Sequence, residues 1–197
     1  MTATIINTAN LRLDDVFCTS SGAKMARLCD GDAPLVIMPD SMRSPFEAGT
    51  FDKDPLATRL NLQLAVDSEH LLTSLQAFDS WVVEYLTEHS ERIFKRILTR
   101  EQVQLGYTPV LRQPAKEPHS PLLRVKIDTE GRHAVCCWDS SGKGVPPPGS
   151  WAGVSLQPRL HLSHLWIMGT QFGVVVRLTD AKILSERKAA TRTCPFK

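Results

Sequence analysis

Trp166–Ile167–Met168–Gly169–Thr170–Gln171–Phe172–Gly173 joins two long runs rich in apolar residues, Val154–Ile167 and Phe172–Leu184. Glycine accepts the left-handed backbone that a tight turn demands, so Gly169 is read as the turn and the two runs as strands of one β-hairpin. Gly173, inside the second strand, is read as a site of close approach or of a bend. Trp166 and Phe172 stand near opposite ends of the turn, where side chains of paired strands meet, and the spacing predicts that they pair. Phe172 is read as closing a core; the role of Trp166 is left open.

Strands also precede this hairpin. In Leu123–Asp128, Leu123, Val125 and Ile127 alternate with Arg124, Lys126 and Asp128, a period of two with one apolar face. The segment His133–Trp138 follows a Glu130–Gly131 turn and is expected to complete a second hairpin with it. Between Ser140 and Gly149 lie three glycines and three consecutive prolines, the composition of an irregular, exposed loop. After Leu184, Arg187, Lys188, Arg192 and Lys197 against Glu186 form a basic tail.

The middle of the chain has another period. Leu71, Leu75, Phe78, Val82, Tyr85 and Leu86 recur every three or four residues, the stripe of an amphipathic helix. Asp67 or Ser68 offers its N-cap, with Glu69 in the first turn. A second helix is expected to start near Ser90 and to carry Ile93, Phe94, Ile97 and Leu98. Thr99 with Gln102 has the form of a capping box for a third. Leu111–Pro121, with three prolines, leads out of this region.

The first third again reads as short strands. These are Leu11–Phe17, Lys24–Cys29 and Leu35–Met38, with turns at Ser20–Ser21–Gly22 and Asp30–Gly31–Asp32 and a loop punctuated by Pro39, Pro45 and Pro55. Leu60, Leu62 and Leu64 alternate with Asn61, Gln63 and Ala65. Strands, a helical insertion, then strands exclude the regular strand–helix alternation that a parallel sheet requires. The pattern predicts a mainly β fold: an OB-like antiparallel barrel with additional strands, a single domain over 1–184 with a helical insertion at about 68–105, and the tail at 185–197.

The 197 residues are 42% hydrophobic and 22% charged, which suits a packed domain, and the formal net charge is only +2. Attraction to a polyanion must therefore come from local clusters of charge. Five cysteines, an odd number, with a vicinal Cys136–Cys137 pair suggest reduced thiols. With no secretory signal and no apolar run of membrane-spanning length, the expectation is a soluble intracellular protein, nuclear or in a cytoplasmic viral factory.

No catalytic motif stands out, and no enzyme activity or cofactor is expected. Ser141–Gly142–Lys143–Gly144 lacks the upstream glycine of a phosphate loop, and prolines follow where a helix must start. His133, Cys136 and Cys137 make a poor metal set, because adjacent strand residues point to opposite faces. Asp128, Glu130 and Asp139 flank turns, where acidic side chains are ordinarily solvated. By the same alternation His161 and His164 are placed on opposite faces, His161 sharing its own with Gln157, Arg159 and Ser163.

What remains is an interleaving of bases and aromatics in the last third. Single-stranded nucleic acid is bound by stacking bases on aromatic rings beside a basic groove. Arg124, Lys126, Arg159, His161, Trp166, Arg177 and Lys182 are the candidate contacts, with Phe172 or Trp138 as further candidate platforms. Most of the other aromatics are read as core. A non-enzymatic structural or assembly protein with a β-sandwich-like fold is the competing reading.

The order of segments also resembles a family of single-stranded-DNA-binding-like proteins of nucleocytoplasmic large DNA viruses and some protists. The resemblance rests on Pro34–Leu35–Val36–Ile37–Met38–Pro39 with Ser44–Pro45–Phe46, on Asn61–Leu62–Gln63–Leu64, and on the helix with Phe78 and Trp81. It continues through Tyr107–Thr108–Pro109–Val110, Ser120–Pro121–Leu122–Leu123–Arg124–Val125–Lys126–Ile127, Leu165–Trp166 and Gln171–Phe172–Gly173–Val174. It implies an OB-like fold and sequence-tolerant binding of single-stranded DNA in replication, repair or recombination, with RNA binding and homo-oligomerisation left open. Glu47 stands where the family shows glycine. The tail is basic where phage proteins of comparable architecture end in an acidic, partner-recruiting one, which points to direct contact with nucleic acid instead.

Overall fold

The computed structural model describes residues 6–20, 22–50, 54, 56–114 and 119–185. The tail beyond Ser185 lies outside the described residues. The N-terminal strands are β1 (Leu11–Leu13), β2 (Phe17–Cys18), β3 (Lys24–Asp30), β4 (Ala33–Pro34), β5 (Val36–Ile37), β6 (Met42–Arg43) and β7 (Arg59–Ala65). Three helices follow, α1 (Glu69–Glu88), α2 (Ser90–Phe94) and α3 (Arg100–Gly106). The remaining strands are β8 (Tyr107–Thr108), β9 (Leu111–Arg112), β10 (Leu122–Asp128), β11 (Cys136–Trp138), β12 (Gly144–Val145), β13 (Ser155–Met168) and β14 (Gln171–Ser185).

The fold is mainly β and OB-like, with a helical insertion. β13 pairs with β6, β6 with β7, β7 with β10, β10 with β14, and β14 returns to β13, so the sheet closes on itself rather than stacking as two sheets. The inner face holds Leu62, Leu64, Leu123, Val125, Ile127, Leu156, Leu160 and Leu162, each completely buried. At ~1.5–3 kcal/mol per buried aliphatic side chain, this row is the main stabilising element of the barrel. Not every pairing is antiparallel. The chain reverses twice after β10, at the β11–β12 turn and at the β13–β14 hairpin, so β14 lies parallel to β10 and β11, and it is parallel to β8 as well.

Two seams of this ring are thin. β6 meets β7 through Arg43 and Ala65, and β10 meets β14 through Lys126 and Arg177. Beside the second seam the strands splay apart, because a single register pair holds them.

Helix α1 packs Leu71, Leu75, Phe78, Val82 and Leu86 into the same core. Ser68 caps it by accepting from the Leu71 amide, and Thr99 and Gln102 form the capping box of α3. The second helix is shorter than the apolar pattern predicts. It stops at Phe94 because Lys95 adopts a left-handed conformation (φ 59°), which leaves Ile97 80% exposed while Leu98 is buried.

Three further expectations are revised. Leu11–Phe17 is two strands, since Asp14–Val16 leave the pairing. The loop at 140–149 is partly ordered: Gly144–Val145 pairs with Cys137–Trp138 around a turn in which Asp139 accepts from the Ser141 and Lys143 amides. Cys136–Trp138 does not form a hairpin with β10. Residues 129–135 make an excursion closed by Val135 N–H donating to Asp128 O (2.8 Å), after which β11 resumes in the direction of β10 along the same edge of β14. Glu47 uses its carboxylate to tie its loop to the segment after Gly149, accepting from the Trp151 amide (2.9 Å) and the Ser150 hydroxyl (2.5 Å).

Candidate nucleic-acid interface

The hairpin places its two aromatics on opposite faces. Trp166 is the register partner of Gly173, and Ile167 that of Phe172. Partners share a face and neighbours alternate, so Trp166 and Phe172 cannot pair. Phe172 turns inward, buried beside Phe94 (ring centroids 4.8 Å apart) and Tyr107 (6.4 Å). Trp166 turns outward and is half-buried.

Gly173 explains how the indole lies. A Cβ there would sit 3.1 Å from Trp166 Cζ2 and Nε1 and 2.9 Å from the Thr108 carbonyl oxygen. The missing side chain lets the ring rest on the strand, so Gly173 serves close approach rather than a bend. Gly106 has a similar part that its sequence context does not signal: a Cβ would come within 2.5 Å of Thr170 O and 2.6 Å of the Phe172 ring.

Trp166 forms one side of a groove of about 760 Å³, whose far side carries Arg124 and Lys126 and whose end carries Lys24. The groove exists because β8 pairs with β14 at Phe172–Gly173 and β10 pairs with it at Arg177, leaving Val174–Val176 between them as an apolar floor. Arg124 is exposed, and neither it nor Lys24 forms an ion pair with a described carboxylate. Lys126 Nζ donates to Asn61 Oδ1 (2.5 Å). Partial burial, with Arg124 and Arg59 nearby, lowers its pKa from the ordinary lysine value.

A second groove of about 620 Å³ adjoins the first and is lined by Arg27, Arg132, His133, His161, His164 and Arg177 among others. Here the alternation rule fails. The register shifts between Leu162 and His164, so Ser163 is a β-bulge and the phase of the strand resets. His161 and His164 therefore share the outer face, while buried Ser163 donates to Val175 O (3.2 Å). Burial first, then Arg177, His161 and Arg59, hold His164 down to about 4. Burial, Arg177 and Arg159 lower His161. Both imidazoles are neutral at neutral pH.

Arg59, Arg177 and Arg159 are committed to carboxylates, whereas Arg132 donates to His133 Nε2 (3.0 Å) and Arg27 takes no ion pair with a described carboxylate. Asp128, placed outward by the period of two, is nonetheless buried because Arg59 Nε (2.7 Å) and Arg177 Nη1 (3.0 Å) close over it. Arg159 reaches Thr179 (3.2 Å) and Asp180 (3.4 Å), and Asp180 also accepts from the Trp138 indole (3.3 Å). Lys182 lies further along the hairpin, a partner of Gln157 and Trp138 in register. Trp138 is 38% exposed and Trp151 is buried.

The seven candidate contacts thus divide. His161, Arg177, Lys126 and Asn61 form one transverse row across four adjacent strands, joining the two grooves. Arg124 and Trp166 flank that row on the first groove, whereas Arg159 and Lys182 sit apart near Trp138. Sequence reading missed Lys24, Arg27 and Arg132, which come from distant segments. It also missed Phe17, which is 49% exposed in the second groove and is a register partner of Met25, itself a partner of Trp166.

Cys136 is exposed and Cys137 buried, on opposite faces of β11, and no group of three metal-ligating side chains gathers among the described residues. No described helix is long and apolar enough to cross a membrane.

No protein-family model matches the chain, and no curated protein matches it. Among solved structures, it is similar to the single-stranded DNA-binding protein from bacteriophage Enc34 in complex with ssDNA (TM-score 0.48, 7% identity, 96% of this chain and 98% of that one). The same protein without DNA gives 0.47 at 7% identity over 98% and 97% of the two chains. Its C-terminal truncation gives 0.45 at 5% identity over 95% and 97%. Likeness at this level says nothing of what this chain binds.

Proposed function

We propose that this chain binds single-stranded DNA, without strong sequence preference and without catalysing a reaction, along the outer face of its barrel. The observation that carries the reading is the first groove: an outward indole laid on Gly173 opposite Arg124 and Lys126, with an apolar floor between them. A base stacked on Trp166 would contribute ~1–3 kcal/mol whatever its identity, because every base presents a π-face. Phosphates flanking that base would meet Arg124, Lys126 and Lys24, none of which forms an ion pair with a described carboxylate. The row through Arg177 and His161 gives the strand a course into the second groove. We place the protein inside the cell, in replication, repair or recombination, in keeping with the family its segment order resembles.

The test is a fluorescence titration with oligo-dT at several salt concentrations. Binding is expected at low salt, with log K falling linearly against log salt by about 0.7 for each phosphate contacted. No binding at low salt contradicts the reading.

A further inference from the structure

A third concavity, about 740 Å³, lies at the tip of the β13–β14 hairpin between that turn and the end of α2. It shares Lys24, Ile167 and Gly169 with the first groove, so the two are continuous around the turn. Its remaining wall carries Arg92, Lys95 and Arg96, with Asp15 as its carboxylate. Arg92 is committed to the fold: it pairs with Asp15 (3.3 Å) and donates to Leu13 O (3.2 Å) and the Tyr85 hydroxyl (3.0 Å). That pairing also uses the carboxylate. Lys24, Lys95 and Arg96 are exposed and take no ion pair with a described residue.

Lys95 is the described non-glycine residue with positive φ. The left-handed region is one that glycine or asparagine adopts more easily than lysine. That conformation caps α2, the Lys95 N–H donating to Glu91 O (3.0 Å), and it sets the lysine at the mouth of a basic concavity, beside Arg96 and continuous with the stacking groove.

We propose that Lys24, Lys95 and Arg96 hold the sugar-phosphate backbone of a strand that leaves the first groove and passes round the hairpin tip. Lys24 is the hinge of this path, shared by both concavities, while Lys95 and Arg96 are engaged only by strands long enough to turn the tip. The inference rests on the binding proposed above and extends it to a second backbone site.

The test uses the full chain and a Lys95→Asn, Arg96→Gln variant. Asparagine removes the charge while tolerating positive φ. Affinities are measured for oligo-dT of about 6 and about 20 nucleotides, lengths chosen to straddle the span of one OB-type barrel. The short strand should bind both proteins equally. The long strand should bind the variant about five- to tenfold more weakly, with a salt slope shallower by about 1.4, the loss of two phosphate contacts. Equal binding of the long strand by both proteins, or equal weakening on both lengths, overturns the extension while leaving the first groove intact. If the unaltered chain binds neither length, the proposed function fails and the extension with it. Thermal melting controls for folding; should the double variant melt early, Arg96→Gln alone reads the same contrast with half the change in slope.

Discussion

The two grooves share one strand pair, yet they hold their charge differently. On the first, Arg124 and Lys24 extend without an acidic partner beside an indole whose face is left open by Gly173. On the second, Arg177 is locked to Asp128 and both hairpin histidines are held neutral by burial and by the arginines around them. A charge already paired has much of its field satisfied within the protein, so the presence of arginines alone does not make an equal phosphate site. The first groove is where affinity should reside, and the second is where the barrel secures itself.

The largest expected effect comes from Trp166→Ala. Losing the stacking platform should weaken oligo-dT binding by about ten- to a hundredfold, or ~1–3 kcal/mol, with little change in melting temperature. Trp138→Ala, on the far side of the second groove and tied to Asp180, should change affinity less than threefold. Anisotropy titrations of the two variants side by side would break the comparison if Trp138 proved the costlier loss.

Gly173→Ala comes next. The added methyl meets the Thr108 carbonyl at 2.9 Å and the indole at 3.1 Å, and the backbone contact cannot yield as a side chain can. Stability should fall by ~1–3 kcal/mol and affinity should fall with it as the ring is lifted. Denaturant unfolding and binding measured on one preparation separate the two losses.

Asp128→Asn tests the committed charges from the other direction. Removing the carboxylate leaves Arg177 and Arg59 without their shared anchor, at a cost of ~1–2 kcal/mol in stability. The freed cations should raise oligonucleotide affinity two- to fivefold at low salt, and unchanged affinity would mean that the second groove does not meet the strand.

The smallest effect is a pH dependence. The folded-state pKa of His164, about 4, lies below the ordinary histidine value, so between pH ~6.5 and 4 the unfolded chain binds the proton that the folded one refuses. This contribution is fully present above pH ~6.5 and is lost as pH falls toward 4. With the ring partly open to solvent it amounts to ~1 kcal/mol. His164→Gln should flatten that part of the stability profile, as read by melting temperature against pH.

The sequence was informative where one period governed a whole segment. Leu123, Val125 and Ile127 against Arg124 and Lys126, the α1 stripe and the Thr99 capping box all lie as their spacing requires. It misled where a single residue resets the phase or the chain path. The bulge at Ser163 moves His164 onto the face of His161, the left-handed Lys95 ends α2 before Ile97, and the 129–135 excursion turns an apparent hairpin into one interrupted run. The site was half legible for a related reason. Arg124, Lys126 and Trp166 sit on regular strands, whereas Lys24, Arg27 and Phe17 join them only through the pairing of β2 with β3 and of β3 with β13. Such long-range register leaves no local trace, and neither does Gly106, whose need for a missing side chain comes from Thr170 and Phe172.

The most direct measurement is tryptophan fluorescence of the unaltered chain and of Trp166→Ala during titration with oligo-dT at low salt. The unaltered chain should show saturable quenching as a base covers the outward indole. The variant, which retains Trp81, Trp138 and Trp151, should lose most of that quenching at matched saturation. Equal quenching in the two proteins would contradict the claim that bases stack on Trp166.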